Sequence, residues 1–137
     1  MDQCLPLSHV KVVEMSHMVM GPTVGLVLGD LGADVVKIEP LGGDKTRKLR
    51  GSGAGYFVTY NRNKRSLCLD TGRPEARALL LQLIAGADVF VENFRPGAMD
   101  KLGLGWESLS AVNPRLVYCS TRGFLDGPYQ HLSLIHI

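Results

Sequence analysis

The sequence predicts an α/β protein: a parallel sheet flanked by helices. Three observations predict it. Short β-branched runs recur along the chain, apolar stripes at helical spacing fall between them, and Pro or Gly stands where those helices would start and stop. Strands alternating with helices are joined by crossovers, which make the sheet parallel and cover both of its faces.

The elements follow in order. Val10 to Met15 (VKVVEM) reads as the first strand. Pro22 suits a helix start, Thr23 to Leu31 carries apolar residues at 24, 27, 28 and 31, and Gly32 stops the helix. Gly25 and Gly29 lie one turn apart in it and predict close packing of helix on sheet. Val35 to Glu39 (VVKIE) is a second strand, ended by Pro40. Leu41 to Gly55 reads as loop, with five glycines and Lys45, Arg47, Lys48 and Arg50. Tyr56 to Tyr60 fits a short helix or a strand. Ser66 to Asp70 (SLCLD) is a third strand. Pro74 opens a helix with apolar face Ala76, Leu79, Leu80, Leu83 and Ile84, and Gly86 lies beyond its end. Asp88 to Phe94 is a fourth strand, Trp106 to Val112 a helix stopped by Asn113 and Pro114, and Leu116 to Ser120 a fifth strand.

Composition narrows the function classes. A chain of 137 residues suits one domain, and 45% hydrophobic with 20% charged residues excludes wholesale disorder. The 16 glycines follow no period. A net charge of +2 is too small to point to nucleic acid or a membrane surface as partner. The first residues lack a signal-peptide pattern. The longest apolar stretch, Ala78 to Val91, contains Gln82 and Asp88 and is shorter than the roughly 20 residues of a membrane span. Cys4, Cys68 and Cys119 are far apart and form no Cys-x-x-Cys, which suits reduced thiols in the cytoplasm. Cys68 and Cys119 are expected to pack in the core. His9, His17, His131 and His136 have no metal-ligand spacing, so no metal is expected.

In such sheets ligands gather at the carboxyl ends of the strands. The turn after the first strand, Ser16 to Pro22, has a single glycine where the dinucleotide fingerprint Gly-x-Gly-x-x-Gly belongs. Glu39 stands where a ribose-binding acid would, but without those glycines. Gly51, Gly53 and Gly55 follow no strand, and no Walker-type loop exists, so NAD, FAD and ATP are disfavoured. Lys45, Arg47, Lys48, Arg50, Arg62, Lys64 and Arg65 fit either a polyphosphate ligand or a solvated loop face. His17 lies in the first strand-to-helix turn and is a weak candidate. No Gly-x-Ser-x-Gly elbow exists, and Asp70, Asp88, Glu92, Asp100 and Asp126 form no acid/base pair.

The stretches VKVVEMSHMVMGP, LGDLGADVVKIEP, GGDKTR, YNRNKRSLCLD, DVFVENFRPGAMDKLGLGWESL and NPRLVYCSTRGF run in order from Val10 to Phe124. With them, and nearly throughout the region Leu7 to Tyr129, the chain resembles the family III CoA-transferases, the carnitine-dehydratase and bile-acid-inducible (CaiB/BaiF) group, which also contains α-methylacyl-CoA racemases. The resemblance implies a Rossmann-like large domain, of which residues 1–131 are the N-terminal part, and a tail, residues 132–137, unlike the family. It implies coenzyme A as substrate, no prosthetic cofactor, and an interlocked homodimer in the full-length protein. On matching positions Met18, Val19 and Met20 would lie along the CoA, and Leu69, Asp70, Thr71 and Gly72 would hold its adenine and ribose. Asn93, Phe94 and Arg95 would meet pantetheine or pyrophosphate, and Lys101 a phosphate. The family's nucleophilic aspartate, in an Ala-Asp-x-x-x-Gly motif, would lie beyond Ile137, so no catalytic residue is expected here and Asp126 is no substitute. The chain is therefore expected to be truncated, with a sheet edge and a helix-binding face exposed. The leading expectation is an N-terminal fragment of an enzyme moving CoA between an acyl-CoA and a carboxylic acid. A racemase or epimerase of the same family is the second, and a non-catalytic CoA-binding remnant the third.

Overall fold

Five strands form one parallel sheet in the computed structural model, which describes residues 4–125 and 127–132. They are β1 (Lys11–Met15), β2 (Asp34–Glu39), β3 (Lys64–Cys68), β4 (Val89–Glu92) and β5 (Val117–Ser120), in the order β3-β2-β1-β4-β5. Register sets Val12 of β1 beside Val35 of β2 and Val89 of β4. The helices are α1 (Met20–Asp30), α2 (Tyr56–Asn61), α3 (Pro74–Ala85), α4 (Ala98–Lys101) and α5 (Trp106–Val112). Asp126 and Ser133 to Ile137 lie outside the described residues, so the reading of Asp126 and most of the tail 132–137 has no structural counterpart.

The two faces of the sheet are covered differently. Successive strand residues point to opposite faces. Val13, Met15, Ile38 and Phe90 pack with Leu80 and Ile84 of α3, Met99 of α4 and Leu109 of α5. Phe90, Leu80, Ile84 and Leu109 are fully buried, and each such side chain contributes roughly 1.5–3 kcal/mol by leaving water. On the other face Val12, Val35 and Val91 pack with Val24 and Leu28 of α1. Toward the strand carboxyl ends the α1 face changes character: Glu14, Lys37 and Glu39 are all buried there.

The α1 stripe is half right. Val24 and Leu28 face the core, but Val27 and Leu31 are exposed. The buried face is Gly21, Pro22, Gly25, Leu26 and Gly29. Its glycines bring the helix against the sheet as expected: a Cβ on Gly29 would stand 3.6 Å from Val35 Cγ2, and one on Gly25 would overlap the Glu14 carboxylate. In α3 the spacing correctly finds Leu80 and Ile84, while Leu79 turns outward.

Other departures are local. The 41–55 segment contains two short 3₁₀ turns, Lys45–Lys48 and Gly51–Gly53, the first capped by Asp44, whose Oδ1 accepts from Thr46 N at 2.8 Å. The ambiguous tyrosine segment is helical, as α2. β3 starts at Lys64 and ends at Cys68, two residues earlier than expected, because its pairing with Val35 begins at Lys64. Helix α4 follows the left-handed Gly97 (φ +76°), where four residues are too few to leave a periodic pattern. The expectation for Cys68 fails: β3 is an edge strand and the thiol is exposed. Cys119 is half-buried against the α1-side core, and burial, with Glu92 nearby, pushes its thiol pKa up. Among the described residues no helix is long and apolar enough to cross a membrane.

Candidate functional site

All five carboxyl ends meet at one edge of the sheet, and the strand order reverses between β1 and β4. Open parallel sheets bind ligands in the crevice at that reversal. Two adjoining clefts occupy it. The first, about 700 Å³, lies over β3, β2 and β1, between His17 and Met18 on one side and Asp44 to Thr46 and Leu69 to Thr71 on the other. The second, about 710 Å³, lies over β1, β4 and β5, between His17 to Met20, Asn93 to Pro96 and Thr121 to Gly123. His17, Met18 and Phe94 line both. The His17 and Phe94 rings meet edge-on at 5.2 Å and divide one cleft from the other.

The expected residues divide between the clefts. Leu69, Asp70 and Thr71 line the first, Val19, Met20, Asn93 and Arg95 the second, and Met18 and Phe94 both. Gly72 and Lys101 line neither and are exposed. Gly72 N donates to Asp70 Oδ1 at 3.2 Å, closing the turn after β3. The sequence reading left out Asp44 and Thr46, and it noticed Lys45 only as one of seven basic residues. It also left out Arg122, which enters the second cleft. Position just after a strand end was the available signal for Arg122.

The β1–α1 turn is held firmly. Asn93 Oδ1 accepts from His17 N at 2.9 Å, and Asn93 Nδ2 donates to His17 O at 2.8 Å. This two-way clasp ties the turn to the end of β4. Met18 adopts φ +64°, a left-handed conformation that costs a side-chain-bearing residue about 1 kcal/mol and marks a site worth explaining. Helix α1 starts at Met20 on the second cleft with no side-chain cap, so its amide end favours a negative group there. Desolvation lowers the His17 pKa, with Lys37 and Lys45 adding to it and Asp44 opposing, although the residue keeps surface exposure. The imidazole is therefore neutral near pH 7.

Beneath the first cleft lies an ionic layer. Glu14 Oε1 accepts from Ser16 Oγ at 2.7 Å and from Lys37 Nζ at 3.2 Å, while Lys64 Nζ lies 2.7 Å from Oε2. Lys64 Nζ also donates to Pro22 O at 2.8 Å and Asn61 Oδ1 at 3.1 Å, which fastens α1 and α2 to the sheet. Glu39 is fully engaged. Its Oε2 accepts from Asp44 N at 2.7 Å and Arg47 Nε at 2.8 Å, and its Oε1 from Arg47 Nη2 at 2.7 Å and Ser66 Oγ at 2.7 Å. Burial would raise this carboxyl, but Arg47, the Asp44 amide and Ser66 outweigh it and hold the pKa at about 2. With its lone pairs committed, Glu39 does not act as a ribose acceptor.

The basic cluster of the sequence largely dissolves into internal pairs. Arg47 pairs with Glu39 and stacks 3.6 Å over the Phe57 ring, Arg62 pairs with Asp30, Lys64 with Glu14 and Arg65 with Asp34. Among the described residues, Lys45, Lys48 and Arg50 form no ion pair, and only Lys45 of these lines a cleft. Asn61 and Asn63 are likewise bonded within the structure, to Phe57 O and Asp30 Oδ1. The stretch NRNKRS thus stitches α2 and β3 to α1, β1 and β2.

Parallel strands in the order 3-2-1-4-5, with a divided cleft at the reversal and a first turn that carries a single glycine, define a Rossmann-like α/β fold. The chain belongs to CoA-transferase family III, whose sequence profile matches residues 7–134. It is 44% identical over 127 residues to the formyl-CoA:oxalate CoA-transferase of Streptomyces avermitilis, covering 90% of this chain and 31% of that protein. It is 43% identical over 136 residues to the succinate–glutarate CoA-transferase of Agrobacterium fabrum, covering 90% of this chain and 34% of that one. A solved CaiB/BaiF family protein from Brucella suis superposes with a TM-score of 0.88 at 46% identity, over 96% of this chain and 37% of its own. The chain spans about a third of the length of the curated relatives it matches.

Proposed function

We propose that the chain is the N-terminal part of an enzyme that transfers CoA between an acyl-CoA and a carboxylic acid, and that it supplies the bed on which the CoA lies. The observation carrying this reading is the pair of clefts joined at His17, Met18 and Phe94. Together they form a trough longer than either, suited to an extended ligand with a nucleotide at one end and a thiol arm at the other. In this reading Leu69, Asp70 and Thr71 hold the adenosine, with Gly72 shaping their turn. Met18 to Met20 offer backbone to the chain of the ligand. Asn93, Phe94 and Arg95 meet pantetheine or pyrophosphate, Lys45 a phosphate, and Lys101 a phosphate from outside the clefts. Two named relatives, both CoA-transferases, favour transfer over racemisation.

The chemistry is covalent catalysis by a carboxylate outside residues 1–137. Its oxygen attacks the thioester carbonyl, the C–S bond breaks, and CoA leaves as thiolate, giving a mixed anhydride. The thiolate attacks the enzyme's carbonyl, releasing the first acid and forming an enzyme thioester. The second acid's carboxylate repeats these two steps in reverse and leaves as its CoA ester. No metal or prosthetic group takes part, and a homodimer is the expected assembly of the longer protein.

Isothermal titration of the chain with CoA, and separately with NAD, tests the reading. Saturable CoA binding, no NAD binding, and loss of at least about tenfold in CoA affinity in Phe94→Ala are expected, a tenfold loss being about 1.4 kcal/mol. A folded chain that binds neither, or binds NAD better, would overturn it.

A further inference from the structure

Lys37 is 1% exposed, and the ammonium of this sheet lysine touches three oxygen atoms from two separate segments, the end of β1 and Asp44. Its Nζ donates to Ser16 O at 2.7 Å and to Glu14 Oε1 at 3.2 Å, and lies 3.2 Å from Asp44 Oδ2. Ser16 O opens the turn whose next residues, His17 and Met18, form one wall of the first cleft. Asp44 begins the 3₁₀ turn that forms the opposite wall. One buried charge therefore fastens both walls from below.

The partners are not interchangeable. Glu14 has a second cation, Lys64, on its other oxygen. Asp44 Oδ2 is buried without a hydrogen bond, and Lys37 is its one ion-pair partner among the described residues. Removing the ammonium leaves Glu14 neutralised but exposes Asp44 to an uncompensated buried charge, and that group relaxes by moving toward water. Water lies on the cleft side. The first cleft would widen at Asp44 to Thr46 while the Ser16 carbonyl loses its donor.

We infer that Lys37 is a positioning residue that sets the width of the first cleft by tethering the β1–α1 turn and the Asp44 segment to one point. The inference rests on the CoA reading for the ligand but not for the tether. It is distinct from the Asn93 clasp, which fixes the same turn to β4 and does not reach the opposite wall.

The test compares wild type, Lys37→Met, Asp44→Asn and the double variant, the last restoring charge balance without the tether. Amide hydrogen exchange is read at 16–20, 43–48 and, as control, 89–92. Loosening of both wall segments in Lys37→Met and the double variant, with 89–92 unchanged, is the expected result. Asp44→Asn, the milder change, should loosen 43–48 alone and gives an answer even if Lys37→Met does not fold. Uniform loosening across all three segments, or none, would show a merely structural lysine and overturn the inference. CoA titration of the same proteins adds a second readout. Affinity should fall about tenfold or more in both Lys37→Met and Asp44→Asn, with the double variant no worse than the worse single, because the two act through one contact. Unchanged CoA affinity in a folded Lys37→Met protein refutes positioning. Absence of CoA binding by wild type refutes the proposed function instead, while exchange still decides the tether.

Discussion

Two glycines one turn apart in α1 should respond very differently to the same substitution: one loses stability heavily and the other barely changes. In Gly25→Ala the new methyl would overlap Glu14 Oε2 and sit 2.9 Å from its Cδ, with Lys64 Cε 3.2 Å away. Glu14 cannot swing clear, because Ser16 and Lys37 hold its other oxygen. The methyl therefore separates Glu14 from Lys64, and breaking a buried pair costs about 3–5 kcal/mol. Alanine returns about 0.5–1 kcal/mol through its better helix propensity. The net loss is about 2–4 kcal/mol. In Gly29→Ala the nearest atoms are Asn63 O at 3.3 Å, Asn63 Cβ at 3.4 Å and Val35 Cγ2 at 3.6 Å, so a shift of a few tenths of an ångström suffices. There the propensity gain and the crowding nearly cancel, leaving a change within about 1 kcal/mol of zero. Urea unfolding followed by circular dichroism measures both. With a slope of about 2 kcal/mol per molar, mid-range for small proteins in urea, the Gly25→Ala midpoint should fall by about 1–2 M and the Gly29→Ala midpoint should barely move. A Gly25→Ala midpoint equal to wild type, or Gly29→Ala as the more damaging change, would refute the picture of α1 seated on a buried ion pair.

Three further outcomes are expected. Glu39 has a folded pKa of about 2, below its unfolded value near 4.3, so its stabilisation is complete above that unfolded value and is lost as pH falls from about 4 to about 2. The shift corresponds to about 3 kcal/mol. Urea midpoints across that range should show the loss in wild type and a much shallower slope in Arg47→Met; equal slopes would contradict the assignment. Asn113 Nδ2 donates to Ile84 O at 3.1 Å and Ala87 O at 2.8 Å, joining the end of α5 to the end of α3. Asn113→Ala should lower stability by about 1–3 kcal/mol in the same assay, since it takes a donor from Ala87 O and another from Ile84 O, which keeps Ala87 N. Arg65 pairs with Asp34 in solvent, so Arg65→Ala should cost about 0.5 kcal/mol or less, and a larger loss would mean that the pair is more than a surface contact.

The readability of this chain depends on which physical signal each element carries. Strands β1, β2 and β5, and helices α3 and α5, came through because β-branched runs and helical apolar spacing reflect burial, and burial is what the fold rewards. Helix α1 misled in part because glycines, not apolar side chains, face its sheet. The pattern of a helix packed on its smallest residues is indistinguishable from one exposed there. The clefts were legible as a place, at the strand ends, and most of the residues that the family resemblance names line them, Gly72 and Lys101 excepted. Their electrostatics were not legible. Glu14, Lys37 and Glu39 sit in strands where alternation reads them as solvent-facing, and only the packing of α1, α2 and the 41–55 segment over them reveals buried pairs. The basic residues failed similarly: nothing in KTRKLR or NRNKRS tells which cation meets an internal carboxylate and which is left at a cleft.

The position of β1 has a consequence for the order in which the chain can acquire its shape. β1 is the central strand, yet one of its neighbours, β4, arrives far later; Lys11 N donates to the Asp88 carboxylate 77 residues away in sequence. Until residues 89–92 have been made, one edge of β1 is open and the turn at 16–20 lacks Asn93. β2 can join early and β3 after it, but the pair of clefts cannot exist in any intermediate that lacks β4. Parallel pairing across such separations slows the search for the native state; the docking of β4 along β1 brings Asn93 to the turn, and β5, which pairs with β4, and with it the wall at 121–123 of the second cleft, can follow only then.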